Sequence, residues 1–204
     1  MAESSARLIR GRILHTRIAA AVLILLLLFQ YPLLPSQGVL RGLLETAGYA
    51  LLIACVLGRV WCSAYIGGRK KRDLVASGPF SIVRNPLYVF SFLGVIGIGL
   101  VSGTVTLLVA LPVLFAVYYR VVVAREEAVL TEKFGEAYRA YCRAVPRWVP
   151  NFRLWREAAE PVVEPRFVFN TMRDSVWFFV ALPAFQSIEW LHEQGILPTL
   201  LRLP

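Results

Sequence analysis

The sequence predicts an all-α integral membrane protein, built as a bundle of about five transmembrane helices. Three observations predict this class. The chain of 204 residues is 57% hydrophobic, above the roughly 45–50% typical of soluble domains. Its apolar residues fall into long runs, each near the roughly 20 residues that a helix needs to cross a bilayer. The net charge is +9, and the basic residues lie beside these apolar runs. This placement indicates that they bind anionic lipid headgroups and set the topology, and it does not indicate nucleic-acid binding.

Residues 1–66 are predicted to contain the first two transmembrane helices. Apolar residues dominate 18–34 and about 43–66, and the second run contains Glu45 and Arg59, each near an end. A basic N-terminus precedes the first run and no small-residue cleavage site follows it, so we expect an uncleaved helix. Four basic residues fill 69–72 after the second run. By the positive-inside rule both basic segments lie in the cytoplasm, which agrees with two helices between them.

Residues 67–156 are predicted to form the core of the protein. The apolar run 89–124 is too long for one span at about 1.5 Å per residue, and Ser102-Gly103-Thr104 interrupts it. We therefore expect a helical hairpin with both ends in the cytoplasm. Residues 125–156 are typical of a surface helix followed by an extended strip bounded by prolines. The C-terminal part, 157–204, contains a last apolar segment, 171–197, in which Pro183 predicts a kink.

Two polar clusters flank the predicted hairpin, the first over 78–88 and the second over 125–150. The ends of an antiparallel hairpin are neighbours, so we expect one pocket at the cytoplasmic face of the membrane. Glu126 and Glu127 are adjacent carboxylates beside the apolar layer, where an uncompensated charge is costly. A cationic ligand or nearby arginines would neutralise them.

The three cysteines predict neither a metal site nor a disulfide framework. Cys55, Cys62 and Cys142 are odd in number, and none of them forms a C-x-x-C pair. We expect them to be small apolar residues of the bundle and expect no metal.

The polar clusters contain two patterns, L-V-x-S-G-P-F-x-x-V-R-N-P-x-Y and E-E-x-x-L-x-x-x-F-G-E-x-Y-x-x-Y-x-x-x-V-P-R-x-x-P. These patterns, with the apolar hairpin between them, resemble the isoprenylcysteine carboxyl methyltransferase and phospholipid methyltransferase superfamily. The resemblance covers about 65–150. Where the family usually has Arg-His-Pro-x-Tyr, this chain has Arg84-Asn85-Pro86-Leu87-Tyr88. The asparagine has no titratable ring, so no histidine role is carried over.

The resemblance implies a membrane enzyme that transfers a methyl group from S-adenosylmethionine to a lipid-like or small hydrophobic acceptor, through a carboxylate, amine or thiol. It implies catalytic roles for Glu127, Glu126 and Arg84. The implied cofactor-binding residues are Arg72, Leu74, Val75, Phe80, Arg84, Asn85, Pro86, Tyr88, Leu93, Gly94, Val95 and Ile96. The isoprenylcysteine enzymes have a substrate-binding arginine before the paired glutamates, and Val122 stands at that position here.

Two other functions remain open at this point. Membrane reductases that use NADPH share a related architecture, although this sequence has no dinucleotide-binding glycine pattern. A non-enzymatic membrane scaffold or transporter subunit is the second alternative. Its disadvantage is that the polar motifs gather at one interface, whereas transport sites usually lie at the bilayer midplane. In each case we expect a multi-pass protein of a bacterial inner membrane, in contact with membrane lipids, with its site facing the cytoplasm.

Overall fold

The computed structural model describes residues 38–67, 73–157 and 163–196. Within these ranges the chain forms six α-helices and one 3-10 turn at Phe152–Leu154. The helices are α1 (Val39–Ile66), α2 (Pro79–Ile82), α3 (Pro86–Ser102), α4 (Val105–Phe134), α5 (Glu136–Ala144) and α6 (Pro165–Glu193). The predicted first transmembrane helix, 18–34, and the basic residues 69–72 lie outside the described residues.

The predicted hairpin is formed by α3 and α4. Gly103 joins them with φ of +66°, a left-handed conformation that glycine adopts at little cost. The two helices approach closely beside the turn, because a Cβ on Gly99 would lie 2.7 Å from Leu108 Cα. The break at Ser102-Gly103-Thr104 therefore marks the turn, as the sequence indicates.

Helix α4 is longer than the apolar pattern suggests. The sequence predicted a span that ends at 124 and a separate surface helix from 125, but α4 continues to Phe134. No glycine or proline lies between 113 and 134, so nothing breaks the helix until Gly135, which has φ of +55°. At about 1.5 Å per residue, 30 residues reach about 45 Å. The last turns therefore extend beyond a hydrocarbon layer of about 30 Å.

Helices α1, α3 and α6 form the packed part of the bundle. A Cβ on Gly48 of α1 would lie 2.8 Å from the Gly97 carbonyl oxygen of α3, and a Cβ on Gly97 would lie 2.8 Å from the Gly48 carbonyl oxygen. Small residues of this kind let helix backbones approach in membranes. Beside this contact Leu52 and Val101 are buried.

Helix α6 runs antiparallel to α1. The Thr171 and Ser63 hydroxyls are 2.7 Å apart, and Gln186 donates to the Tyr49 hydroxyl at 3.3 Å. We call the end of the bundle that contains Gly103 the turn end. The opposite end, where α1 ends and α3 begins, is the base end.

The surface of the bundle suits a membrane. Among the described helices, α1 and α4 are long and apolar enough to cross one, with mean hydropathies of 1.7 and 2.2. One side of α4 presents apolar side chains that are more than half exposed: Val109, Val113, Leu114, Val117 and Val121. Helix α3 is shorter, with 17 residues. The structure is thus all-helical with membrane-spanning character, and the number of five spans and the cytoplasmic orientation stay predictions.

Candidate functional site

The two polar clusters meet at the base end. The first cluster forms the short helix α2 and leads into α3, where Pro86 occupies the first helical position, for which its fixed φ is suited. Gly78 starts α2 with φ of +58°. A Cβ on Gly78 would also overlap the Tyr65 ring of α1. The second cluster supplies the last turns of α4, helix α5 and the strip that follows.

The strip after α5 is held against the first cluster by backbone hydrogen bonds. The Arg84 amide donates to the Pro146 carbonyl at 2.8 Å, and the Asn151 amide donates to the Ile82 carbonyl at 2.9 Å. From α5, the Tyr141 hydroxyl donates to the Phe80 carbonyl at 2.7 Å. These bonds fix the two clusters relative to each other although about sixty residues separate them.

Glu127 lies at the centre of this arrangement. Its side chain is only 10% exposed, and two arginines hold it. Arg84 Nη1 donates to Oε1 at 3.2 Å, as does Arg147 Nε, and Arg147 Nη2 donates to Oε2. Charge-assisted bonds to two guanidinium groups are strong and directional. Two guanidinium cations and one carboxylate give this group of three residues a net charge of +1.

Glu126 belongs to a different surface of α4. Adjacent residues of a helix point about 100° apart, and Glu126 is half-exposed whereas Glu127 is buried. The Tyr88 hydroxyl donates to Glu126 Oε2 at 3.0 Å. The Tyr88 ring packs against Tyr119 of α4, with centroids 4.7 Å apart. Glu126 thus adds a second carboxylate to the base end, bonded by a tyrosine hydroxyl where Glu127 is bonded by two arginines.

Arg84 has a buried donor that the protein does not use. Its Nε–H has no hydrogen-bond partner among the described residues. Arg84 also lines a cavity of about 740 Å³, together with residues of α5 and the strip. The volume of this cavity lies in the range of small-molecule sites, but the cavity is widely open to the surface. Of the cofactor residues that the resemblance implies, Arg84 is the one that lines this cavity.

The tyrosines of α5 keep their protons at this site. Burial raises the pKa of the Tyr141 hydroxyl. Burial and the charge of Glu127 raise the pKa of Tyr138. The hydrogen bond to Glu127 raises the pKa of Arg147. Tyr141 therefore acts as a hydrogen-bond donor, and Arg147 stays a cation.

The remaining implied cofactor residues are distributed along the first cluster and α3. Phe80 is buried in α2, and Leu74 and Val75 are half-buried before it. The Asn85 side-chain amide donates to the Arg147 carbonyl at 3.4 Å. Leu93, Val95 and Ile96 are half-buried one to two turns beyond Tyr88, and Gly94 lies against α1 beside Cys55. Arg72 lies outside the described residues.

Sequence reasoning assigned no catalytic or binding role to two residues that the geometry places at the centre of the site. Arg147 bonds both oxygens of Glu127, and Tyr141 joins α5 to α2. Both residues belong to the second motif. A buried Glu127 needs a cationic partner, and Arg147 is one of several arginines near it in the sequence. No periodicity identifies which of the nearby arginines supplies it.

The described cysteines carry free thiols. No group of three or more His, Cys, Asp or Glu residues in the described ranges is placed to hold a metal ion.

Comparison with known proteins gives two kinds of match. The pattern of the phospholipid methyltransferase family matches residues 46–137. The nickel-cobalt-cadmium resistance protein NccN of Alcaligenes xylosoxydans xylosoxydans is 32% identical over 97% of this chain and 92% of its own length. The cobalt-zinc-cadmium resistance protein CzcN of Cupriavidus metallidurans is 34% identical over 79% of this chain and 74% of its own. No solved structure matches the chain.

Proposed function

The chain belongs to the phospholipid methyltransferase family, and on that premise we propose that it transfers a methyl group from S-adenosylmethionine to a lipid-like or small hydrophobic acceptor at the base end. The observation that supports this most is the meeting of the two motifs. Arg84 and Tyr88 from the first motif bond Glu127 and Glu126 from the second.

The charge pattern of the base end fits S-adenosylmethionine. The methionine part of this cofactor carries a carboxylate and an ammonium group beside its sulfonium. The base end has a positive part, in which Arg84 keeps an unused buried Nε–H, and a negative part at Glu126. Arg84 would hold the carboxylate, and Glu126, oriented by Tyr88, would attract the cationic groups.

When bound, the cofactor supplies a methyl group that its sulfonium already activates. The protein's task is therefore to align the acceptor with this methyl group and to exclude water. Glu127 is held between two guanidinium groups that compete for its oxygens. We assign it the positioning of Arg84 and Arg147, in place of the direct catalytic role that the resemblance implies. The exposed apolar face of α4 is suited to an acceptor that arrives laterally from the membrane.

Cofactor binding tests this proposal directly. A ligand that binds the folded protein raises its unfolding temperature by mass action. S-adenosylmethionine and S-adenosylhomocysteine should both raise it for the full chain in nanodiscs. Arg84→Ala should weaken this effect while the apo-protein still folds, and Tyr88→Phe should weaken it less. Arg139→Ala is the matched control, because Arg139 is exposed on α5 and pairs with the exposed Glu136.

Two results would contradict the proposal. The first is a wild-type protein whose unfolding temperature responds to neither ligand. The second is NADPH raising the unfolding temperature where S-adenosylmethionine does not, since that favours the reductase alternative. An equal response of wild type and Arg84→Ala would remove Arg84 from the cofactor site.

A further inference from the structure

The strip after α5 presents large apolar side chains on its outer side. Val149 and Phe152 are 76% and 75% exposed, and Trp155 is 43% exposed. Val149 and Phe152 border the same open cavity. Phe152 and Trp155 are three residues apart across the 3-10 turn, where residues at this spacing lie on one side. The three side chains therefore form an apolar patch of the kind that marks an interaction surface, and we call residues 149–156 the outer strip.

Backbone hydrogen bonds fix the outer strip along its inner side. The Arg156 amide donates to the Ser81 hydroxyl oxygen at 3.0 Å, and the Gly78 amide donates to the Arg156 carbonyl at 2.7 Å. The Asn151 amide bonds the Ile82 carbonyl. These bonds anchor both halves of the strip to α2 and to the residue before it. The apolar patch therefore faces outward from a fixed backbone.

An aromatic contact sets the height of the outer strip on the bundle. The Trp155 ring stacks on the Trp61 ring of α1, with centroids 5.7 Å apart. Trp61 lies five residues before α1 ends at Ile66, which is about 7.5 Å from the end. The Tyr65 and Phe90 rings pack edge-on against Trp61, at 6.3 Å and 6.4 Å. Tryptophan and tyrosine gather where membrane helices meet the headgroups, so this cluster indicates that the strip lies at the edge of the apolar layer.

Two physical limits agree with this height. Apart from the 3-10 turn, the backbone of the outer strip is not helical. Lipid tails cannot bond the backbone polar groups that such a segment exposes, so the strip cannot lie deep in the hydrocarbon. Exposure of the apolar patch to water is also unfavourable. The membrane–water interface satisfies both limits, because the backbone stays hydrated there while the side chains insert.

The charge of this region complements an anionic lipid surface. Residues 143–156 contain four arginines and neither Asp nor Glu. Two of these arginines pair with glutamates. Arg153 and Arg156 are exposed and form no ion pair within the described ranges. Anionic headgroups attract exposed arginines at this height, so charge and apolar surface together favour lipid as the partner of the strip.

We propose that the outer strip binds anionic phospholipid headgroups of the membrane in which the bundle lies. Arg153 and Arg156 bond the phosphates, and the apolar patch inserts beside the acyl chains. This surface differs from the basic segments beside the apolar runs, because it combines charge with an apolar patch. Arg147 lies two residues before the strip and bonds Glu127, so the lipid contact holds the candidate site at the height of the headgroups. The inference goes beyond the proposed function and does not rest on it.

A nitroxide spin label tests the insertion on the full chain in phosphatidylcholine nanodiscs. Val149→Cys places the label on the outer strip, and Ala140→Cys is the matched control on the exposed face of α5. Both proteins also carry Cys142→Ala, so that the remaining native thiols, Cys55 and Cys62, are fully buried. We expect oxygen, which concentrates in lipid, to relax the label at position 149 more strongly. A water-soluble nickel chelate should relax the label at position 140 more strongly.

The label at position 149 also reports the preference for an anionic headgroup. Dioctanoyl phosphatidylglycerol, which is anionic, and dioctanoyl phosphatidylcholine, which is zwitterionic, are titrated into the same nanodiscs. We expect phosphatidylglycerol to reduce the access of the nickel chelate further and phosphatidylcholine to leave it unchanged. Arg153→Gln combined with Arg156→Gln should weaken the apparent affinity for phosphatidylglycerol by at least about tenfold, because each arginine near an anionic surface contributes about fivefold. Arg139→Gln is the matched control on α5 and should leave this affinity unchanged.

Three results would overturn the inference. The first is equal access of the nickel chelate to the labels at positions 149 and 140, which would leave the apolar patch as a surface for a protein partner. The second is an equal response to the two lipids. The third is an equal loss of affinity in Arg139→Gln and in the double variant. If the double variant does not fold, Arg153→Gln alone decides, and an affinity equal to that of the wild type overturns the inference.

Discussion

At the turn end one buried arginine bonds two glutamates, whereas at the base end two arginines share one buried glutamate. Arg41 Nε donates to Glu45 at 2.5 Å, and its Nη2 donates to Glu189 at 3.4 Å and to the Val101 carbonyl at 3.1 Å. This cluster joins α1 and α6 to the last turn of α3. The base end instead joins α4, the link between α2 and α3, and the strip after α5 through Glu127.

Each end also has a buried arginine N–H without a hydrogen-bond partner in the described structure, namely Arg41 Nη1 and Arg84 Nε. Their surroundings differ. A Cβ on Gly103 would fall on Arg41 Nη1, so the backbone of the hairpin turn closes that position. The Arg84 side chain instead borders an open cavity, although its Nε is itself buried. The proposed function therefore gives the turn end a role in stability and the base end a role in binding.

Replacement of Arg41 should have the largest effect on stability. Arg41→Leu leaves Glu45 and Glu189 near each other without their cation and removes the bond to the hairpin turn. Loss of one partner from a buried ion-pair group is strongly destabilising. Because both glutamates are partly exposed, we expect a loss of about 3 kcal/mol in the free energy of unfolding, measured by denaturant unfolding in nanodiscs.

The same Arg41→Leu protein should bind S-adenosylmethionine within about twofold of the wild type wherever it is folded. Arg41→Lys is the matched control and should lose less stability, since it keeps the charge. A fall in cofactor affinity that parallels the fall in stability would contradict the separation of the two ends.

The contrast between the ends also explains how much the sequence predicts. The hairpin follows from one local signal, Ser102-Gly103-Thr104 within an apolar run. The meeting of the two motifs follows from that hairpin, because its ends must be neighbours. Sequence separation limits the rest. Arg41 and Glu189 are 148 residues apart. Glu127 and Arg147 are separated by the break at Gly135 and by the end of α5, so no periodic pattern relates either pair.

The helix boundaries were harder to predict for a different reason. Hydropathy changes at about residue 124, but backbone hydrogen bonding does not depend on hydropathy. Helix α4 therefore passes from apolar to charged sequence and ends at Gly135. This continuity is what carries Glu126 and Glu127 to the base end on a rigid element.

Replacement of Glu127 should change the free energy of unfolding less than replacement of Arg41 does. Its main effect should be on the rate of methyl transfer. Glu127→Gln removes the charge between Arg84 and Arg147, so that the two guanidinium groups repel each other and Arg84 loses its orientation. We expect methyl transfer to fall at least about tenfold, which corresponds to about 1.4 kcal/mol of barrier. Because Arg84 would bind the cofactor, KM for S-adenosylmethionine should rise. Initial rates at varied cofactor concentration give both quantities.

Glu126→Gln is the matched control on the adjacent position of the same helix. It keeps the Tyr88 hydrogen bond and should lower the rate less than Glu127→Gln. Normal turnover by both variants would mean that the two carboxylates serve only the packing of the base end, and the base end would then lose its assignment as the site.

The smallest effect should come from a single hydroxyl at the base end. Tyr141→Phe removes the hydrogen bond to the Phe80 carbonyl, which should cost about 1 kcal/mol of unfolding free energy. Burial raises the pKa of Tyr141 above its value in the unfolded chain, which is about 10. The contribution of the neutral hydroxyl is therefore fully present below about pH 10 and is lost as pH rises from there toward the higher pKa of the folded state.

Unfolding free energies measured between pH 8 and pH 11 test this dependence. The wild type should lose stability above about pH 10, and Tyr141→Phe should lose less over the same interval, because one of its alkaline-sensitive groups is gone. Tyr138 keeps part of the slope, since its pKa is raised as well. Arg41→Leu should retain the full wild-type slope despite its lower stability, because the turn end does not involve these hydroxyls. A steeper slope in Tyr141→Phe than in the wild type would contradict the sign of this argument, and an altered slope in Arg41→Leu would mean that the two ends are energetically coupled.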